Sequence, residues 1–146
     1  MKLKIKRVDT SLPMPKYETG GSVAFDVYSR EDLVVQPKKM ALAPANLIIC
    51  TPPGFMTLVA ARSSLPIKKG LMLANGVGVL DQDYCGPDDE LYLELYNFGD
   101  APVDVKRGER LAQVIILKVE KVELEEVTDT AAPNRKGLGS TGGYHQ

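Results

Sequence analysis

The sequence is poor in the residues that most often carry metal binding and nucleophilic catalysis. Its one histidine, His145, lies next to the C-terminal residue, and its two cysteines, Cys50 and Cys85, do not have metal-ligand spacing. A structural zinc site takes about four Cys or His ligands, which this chain cannot supply. The single terminal histidine also argues against Ser-His-Asp or Cys-His catalysis. Cys85 is interpreted as a small buried or half-buried thiol.

The sequence also lacks an excess of either charge and any long apolar run. Its 18 basic and 19 acidic residues give a formal net charge of −1, so no basic excess indicates a nucleic-acid partner. No apolar run approaches the roughly 18 residues of a membrane span. The opening MKLKIKRV alternates polar and apolar residues, unlike the core of a signal peptide. We therefore expect a cytoplasmic protein without nucleic-acid or membrane partners.

The pattern that is present predicts many short strands. Polar and apolar residues alternate at 2–8, 22–29 and 90–96, and other short apolar runs are separated by turn residues. The only helix signal runs from the capping residues Ser63 and Ser64 to Gly70. With 44% hydrophobic residues in 146, the chain can form one domain with a real core. We predict an all-β sandwich or barrel with one short helix.

The last part of the chain has a different composition. From Thr128 it is rich in glycine and small polar residues, so we predict a β domain over 1–127 and a mobile arm over 128–146. Within the arm, Arg135 precedes the run GLGSTG, and glycines, hydroxyls and a nearby cation can form an anion-binding nest. The alternative for this segment taken alone is a dispensable tail.

The stretch NGVGVLDQDY, residues 75–84, is the leading candidate site. Its two glycines let the backbone of a hairpin approach a flat ligand. Asp81 can hold a water molecule and accept its proton, and Tyr84 offers a flat face to a ring. The alternative is an ordinary hairpin with Asp81 in a turn and Tyr84 in the core.

Two further positions suggest a charged ligand. Asp26 lies in the middle of a predicted strand, where aspartate is disfavoured, so a cation, a metal-bound water or backbone donors should compensate it. Its alternative is an exposed position on the sheet. Arg62 precedes a predicted helix start, whose free N–H groups can cradle an oxyanion or phosphate, although a simple capped turn has the same pattern.

Five segments resemble, in order, the five motifs of the trimeric dUTP pyrophosphatases, or dUTPases. They are VAFDVYS around Asp26, ARSSL around Arg62, the stretch 75–86, GERLAQ at 108–113 and GLGSTG at 137–142. The third and fifth are the most specific, and together the five span nearly the whole chain. The resemblance implies a distorted jelly-roll-like β-barrel that forms a homotrimer, with each site at a subunit interface and the arm closing over it.

The resemblance also implies an activity. Members of the family hydrolyse dUTP to dUMP and pyrophosphate with Mg²⁺, by attack of water on the α-phosphate, which limits uracil in DNA and supplies dUMP for dTTP synthesis. Asp81 would be the base, Tyr84 would stack on the deoxyribose and exclude a 2′-hydroxyl, and Asp26 would reach Mg²⁺ through water. The other implied substrate contacts are Arg62, Ser63 and Gln113 near the α-phosphate and scissile bond, Asn75 at the uracil, Arg135, Ser140 and Thr141 at the β- and γ-phosphates, and Leu138 over the base.

The sequence departs from the family pattern in several places. Pro87-Asp88-Asp89-Glu90 lengthens the segment after the third motif. Three acidic residues near a phosphate site would be unfavourable, so we expect them to point to solvent. Leu138 stands where the family commonly has an aromatic residue, and Arg135 lies closer to the fifth motif than the family's arginine does.

A sister family gives the main alternative. The dCTP deaminases share the fold, and some are bifunctional dCTP deaminase/dUTPases. They also carry RSSL and an LEL-Asn strand whose glutamate is catalytic. This chain has Glu94 at the position of that glutamate. Against this alternative, Pro66-Ile67 occupy the place of a deaminase arginine, and the deaminases lack a counterpart of Tyr84. A non-catalytic nucleotide binder is a third hypothesis, which Asp81 and the GSTG run argue against.

Overall fold

The computed structural model describes residues 1–134, which contain eleven strands and one helix. The strands are β1 (Lys4–Arg7), β2 (Phe25–Tyr28), β3 (Leu33–Val35), β4 (Met40–Pro44), β5 (Leu47–Cys50), β6 (Phe55–Ala61), β7 (Leu71–Leu73), β8 (Val77–Leu80), β9 (Tyr92–Asn97), β10 (Val103–Val105) and β11 (Arg110–Lys118). The helix, α1, is Ser64–Lys69. The prediction of an all-β fold with one short helix is confirmed.

The strands form four antiparallel sheets. The largest has the order β2-β11-β6-β8, and a second sheet has the order β4-β9-β7. The pairs β1-β5 and β3-β10 complete the set. Within residues 1–134 these ladders do not join into a closed barrel, so the predicted barrel is an open, jelly-roll-like arrangement.

Alternation along the strands builds the core. Phe25 and Val27 of β2 are buried, whereas Asp26 between them is only half-buried on the other face. On β9 the same period buries Leu93 and Leu95, as the sequence pattern predicts. The hydrophobic side chains of both larger sheets meet in one cluster, which includes Val59, Leu71, Leu73, Leu80, Leu111 and Val114.

The helix has the boundaries that the sequence predicts. It follows Ser63, which makes no side-chain cap hydrogen bond, and it ends at Gly70, whose φ of 63° is the left-handed conformation that glycine adopts easily. Just before it, the main-chain N–H of Arg62 donates to the Leu111 oxygen at 3.1 Å, which fixes the start of the helix against β11. In residues 1–134, α1 is too short to cross a membrane.

The apolar residues in Val122–Val127, after β11, suggest one more strand, but the structure forms none there. These residues are exposed and have no strand partner within the described part of the chain. The last regular anchor is the hydrogen bond from the Val119 N–H to the Gly54 oxygen at 2.9 Å. The domain boundary at 127/128 stays a prediction, because most of the arm, residues 135–146, lies outside the described residues.

A core truncation tests this packing. Leu95 is fully buried between the sheets, so Leu95→Ala should lower the free energy of unfolding by about 2–5 kcal/mol, measured by urea denaturation. Ile67→Ala on the surface of α1 is the matched control, since Ile67 is 86% exposed, and it should change stability by about 0.5 kcal/mol or less. Equal stabilities of the two variants would contradict this core.

Candidate active site

The stretch 75–84 forms a link between two sheets and not the predicted hairpin. β7, which precedes it, pairs with β9, whereas β8 pairs with β6 in the other sheet. The chain crosses at a tight turn in which Gly76, with a φ of 72°, donates its N–H to the Leu73 oxygen at 3.0 Å. β8 is thus the edge of its sheet, and on the side away from β6 no described strand pairs with its main-chain groups.

A pocket of about 310 Å³ lies at this crossing. It is at the lower end of the range for small-molecule sites. Asn75, Asp81 and Tyr84 all line it, so the structure brings together three side chains that the sequence singles out. The apolar part of the lining is Val59, Leu73, Val79, Leu80, Leu91 and Leu93. The carboxylate of Asp81 is exposed and therefore accessible to a ligand or to water.

Two residues of β9 complete the pocket lining. Tyr92 was not among the predicted site residues, and Glu94 was considered only for the deaminase alternative. The one signal for both in the sequence is the strict alternation of residues 90–96, which places them on the face opposite the buried leucines. Together with Leu91 and Leu93 they form one wall of the pocket.

Close approach of β8 to β6 gives Gly78 a specific role. A Cβ atom at Gly78 would lie 3.2 Å from the Cβ of Val59, which is buried in the core and has little room to move. The absence of a side chain at Gly78 therefore lets the edge strand sit directly over the core at the floor of the pocket.

The Tyr84 side chain is held by one hydrogen bond. Its hydroxyl donates to the main-chain oxygen of Glu90 at 3.1 Å, and the residue is 40% exposed on the pocket side. Burial, followed by the Asp89 carboxylate, raises the pKa of the Tyr84 phenol. The group therefore keeps its proton at neutral pH and remains a donor.

The acidic insertion after Gly86 is only partly directed to solvent. Asp88 is exposed, as predicted, and Asp89 accepts a hydrogen bond from the Gly86 N–H at 2.5 Å. The prediction is wrong for Glu90, which is 6% exposed. Its carboxylate accepts from Nε and Nη2 of Arg30 at 2.9 and 3.0 Å, and this partner compensates the cost of burying it.

The two cysteines form a pair that the sequence spacing did not suggest. Cys50 at the end of β5 is disulfide-bonded to Cys85, which directly follows Tyr84, so the interpretation of Cys85 as a thiol is wrong. A separation of 35 residues carries no pairing signal, and only the fold brings the two positions together. The bond ties the segment that carries Tyr84 to the edge of the β1-β5 sheet.

A second cavity, of about 390 Å³, holds the predicted phosphate-site residues. It is lined by Asp26, Arg62, Ser63 and Gln113, together with residues 18 and 21–24. Gln113 is held in place because its Nε2 donates to the Ala61 oxygen at 3.2 Å across the β11–β6 ladder. The structure thus joins the first, second and fourth motif segments in one cradle.

Two arginines compensate Asp26. The Nε of Arg62 lies 3.3 Å from Oδ1, and the Nη1 of Arg110 lies 3.1 Å from Oδ2. Of the three compensating partners that the sequence allows, namely a cation, a metal-bound water or backbone donors, the structure shows cations, and sequence reasoning did not identify Arg110 as one of them. It faces Asp26 because the β11–β2 ladder shifts register between Arg110 and Ala112, a local irregularity that a sequence does not reveal. Arg110 also pairs with Glu18 at 2.8 Å and does not line the cradle, so Arg62 is the guanidinium group that the cradle presents to a ligand.

The four predicted residues of the arm, Arg135, Leu138, Ser140 and Thr141, lie outside the described residues. Within residues 1–134 the pocket and the cradle share no lining residue, and no cluster of three or more His, Cys, Asp or Glu side chains could hold a metal ion. The fold and these two sites define a small all-β protein with one pocket of mixed apolar and polar lining and a separate cavity lined by charged and polar side chains.

Comparison with known proteins identifies the family. The dUTPase family model matches residues 10–142, and a deoxyuridine 5′-triphosphate nucleotidohydrolase of Dictyoglomus turgidum is 37% identical, over 97% of this chain and 99% of the relative. The chain belongs to the dUTPase family.

Solved structures show the same fold. The dUTPase of Streptococcus mutans aligns with a TM-score of 0.75 and 27% identity, over 82% of this chain and 98% of that chain. The phage 80alpha dUTPase solved with dUPNHPP gives a TM-score of 0.85 at 23% identity, over 97% of this chain and 98% of that chain. A mutant dUTPase of phage phi11, solved with a structural Mg(II) ion, gives a TM-score of 0.78 at 20% identity, over 89% of this chain and 99% of that chain. These likenesses confirm the predicted fold.

A substitution at Gly78 tests the close contact at the pocket floor. Gly78→Ala should lower the free energy of unfolding by about 1–3 kcal/mol, because the new methyl group must displace β8 or Val59. The measurement is urea denaturation. Gly20→Ala is the control, because nothing lies within 4 Å of a Cβ there, and it should leave stability nearly unchanged. A Gly78→Ala protein as stable as the parent would contradict the described packing.

Proposed function

We propose that this protein hydrolyses dUTP to dUMP and pyrophosphate. The observation that carries the proposal is the meeting of Asn75, Asp81 and Tyr84 in one pocket of a chain that belongs to the dUTPase family. Asp81 accepts a proton from a water molecule, the water oxygen bonds to the α-phosphorus, and the bond from that phosphorus to the bridging oxygen breaks. Pyrophosphate leaves and dUMP remains. The dUMP that is formed serves dTTP synthesis.

The pocket binds the base and the sugar. Asn75 and the open main-chain edge of β8 contact the uracil, since an unpaired strand edge offers both donors and acceptors in fixed positions. The Tyr84 ring lies against the deoxyribose and leaves no room for a 2′-hydroxyl. Leu138 of the arm covers the base. Tyr84 suits this role because its side chain lines the pocket, is partly exposed, and has its hydroxyl held by a hydrogen bond.

The cradle binds the triphosphate. Arg62, Ser63 and Gln113, which line the cradle, contact the α-phosphate and the scissile bond, and Arg62 brings a positive charge to them. The residues of the arm, Arg135, Ser140 and Thr141, contact the β- and γ-phosphates when the arm, residues 128–146, closes. Closure excludes bulk water from the reaction.

Magnesium would reach the site bound to the triphosphate of the substrate. Both oxygens of Asp26 are already paired with arginines, and residues 1–134 contain no cluster of ligands, so these residues do not fit a metal ion held by the protein alone. Triphosphate oxygens are good ligands for Mg²⁺, which keeps several of its waters. A hydrated ion carried by dUTP would meet Asp26 through one of those waters, and no step of the mechanism above depends on it.

We also propose a homotrimer with sites at subunit interfaces. Two features of the single chain support this: the pocket and the cradle share no residue, and Val122 and Leu124 beyond β11 are 73% and 90% exposed. Exposed apolar side chains at alternate positions suit a strand that pairs with another copy. In such an assembly the pocket of one subunit faces the cradle of another, and one nucleotide spans both.

A product assay tests the activity. The protein is incubated separately with dUTP, dCTP, dTTP and UTP in the presence of Mg²⁺, and nucleotides, pyrophosphate and ammonia are resolved. We expect dUMP and pyrophosphate from dUTP alone. Ammonia from dCTP would assign the reaction to the deaminase alternative and give Glu94, which lines the pocket, a catalytic role. No turnover of any substrate would overturn the proposed function.

A single substitution tests the base. In Asp81→Asn the amide cannot accept the proton of the attacking water, so we expect kcat for dUTP to fall by about 10²–10⁴-fold while nucleotide binding persists. Asp83→Asn is the matched control, because Asp83 is also an exposed carboxylate, lies two residues away and does not line the pocket. Undiminished turnover by Asp81→Asn would refute the assignment of the base.

A further inference from the structure

The Arg30–Glu90 pair joins two parts of the chain that are 60 residues apart. Both oxygens of the Glu90 carboxylate bind the forked guanidinium, at 2.9 and 3.0 Å, a paired geometry that fixes direction as well as distance. The main-chain N–H of Asn46 adds a third hydrogen bond to the carboxylate at 2.9 Å. The hydrogen bond from Arg30 to the Glu90 carboxylate raises the pKa of Arg30 above its ordinary value, so the guanidinium stays charged.

Glu90 is attached to the rigid part of the fold on three sides. The Arg30 N–H donates to the Pro44 oxygen at 2.8 Å, which fixes the arginine against β4. Next to Glu90, the Leu91 N–H donates to the Leu47 oxygen at 2.8 Å, at the start of β5. The Glu90 side chain is 8% exposed and that of Arg30 23%, so water screens their attraction less than at an open surface pair.

The same residue holds Tyr84 through its main chain. The carbonyl oxygen of Glu90 accepts the Tyr84 hydroxyl hydrogen bond at 3.1 Å. A shift of the Glu90 backbone would therefore move the hydrogen-bond acceptor that holds the Tyr84 hydroxyl. No other hydrogen bond of the Tyr84 side chain is present in the described part of the chain.

We infer that Glu90, fixed by Arg30, is a positioning residue that sets the Tyr84 ring and thereby the preference for 2′-deoxyribose over ribose. The inference rests on the proposed function. A 2′-hydroxyl differs from hydrogen by a single heavy atom, so its exclusion needs a ring held to a fraction of an ångström. The Arg30–Glu90 pair supplies that rigidity from outside the pocket.

The test measures kcat/KM for dUTP and for UTP and takes their ratio. Glu90→Gln keeps the shape of the side chain but removes the charge that binds Arg30, so we expect the dUTP/UTP ratio to fall about tenfold. A purely structural defect lowers the amount of active protein and changes both values alike, leaving the ratio as it was. Tyr84→Phe, which lacks the donor hydroxyl, should lower the ratio as well.

The double variant shows whether the two residues act as one unit. If Glu90 acts through Tyr84, then Glu90→Gln combined with Tyr84→Phe should lower the ratio no further than the larger single effect. Glu31→Gln is the matched control, because Glu31 also pairs with Arg30, at 2.6 Å, but is 56% exposed and is not the hydrogen-bond partner of Tyr84. Its dUTP/UTP ratio should equal that of the parent protein.

The outcomes separate this inference from the proposed function. A parent protein that does not turn over dUTP overturns both. If the parent protein does turn over dUTP, three results would overturn the inference alone. They are an unchanged dUTP/UTP ratio in Glu90→Gln, additive effects in the double variant, and a fall in Glu31→Gln equal to that in Glu90→Gln. Should Glu90→Gln fail to fold, Arg30→Lys replaces the fork by a single ammonium and should lower the ratio in the same direction. A folded Arg30→Lys protein with the parent ratio would equally refute it.

Discussion

β11 pairs with two neighbours at once, β2 on one side and β6 on the other, and this double pairing determines where the charged residues of the cradle meet. The ladder with β6 runs through seven consecutive residue pairs and ends at Ala61, directly before Arg62. The ladder with β2 sets Gln113 opposite Asp26. Three segments separated by tens of residues thus reach one place through main-chain hydrogen bonds, before any side-chain interaction is counted.

The pocket for the base and sugar depends on a different kind of support. Its two main walls, β8 and β9, belong to different sheets and make no ladder with each other. The segment between them is instead attached at separate points: the Gln82 side chain to the Phe55 oxygen, Cys85 to Cys50, and Glu90 to Arg30. Point contacts of this kind hold a loop in position without adding it to a sheet.

The sequence predicts those features that repeat or that belong to local motifs. Alternation alone identified the buried face of β9, and the helix was bounded by Ser63 and Gly70. Resemblance grouped Asn75, Asp81 and Tyr84, which the structure places in one pocket. The features that were missed depend on long-range pairing. Arg110 reaches Asp26 through a register shift, Glu90 is buried because Arg30 arrives from 60 residues away, and Cys50 meets Cys85 only after the sheets form. None of these leaves a local signal.

The free edge of β8 has a consequence for how this protein can change during evolution. Val77 on that strand is 49% exposed and does not line the pocket, while the strand's backbone is fixed by its ladder to β6. Under the proposed function the base is read by Asn75 and by peptide groups of β8, and those peptide groups are the same whichever side chain replaces that of Val77. Substitutions at Val77 can therefore accumulate, or adapt the surface to a neighbouring subunit, without altering the main-chain donors and acceptors that contact uracil. Variation in sequence at this position is compatible with constant specificity because part of the chemistry that recognises the base is carried by the main chain.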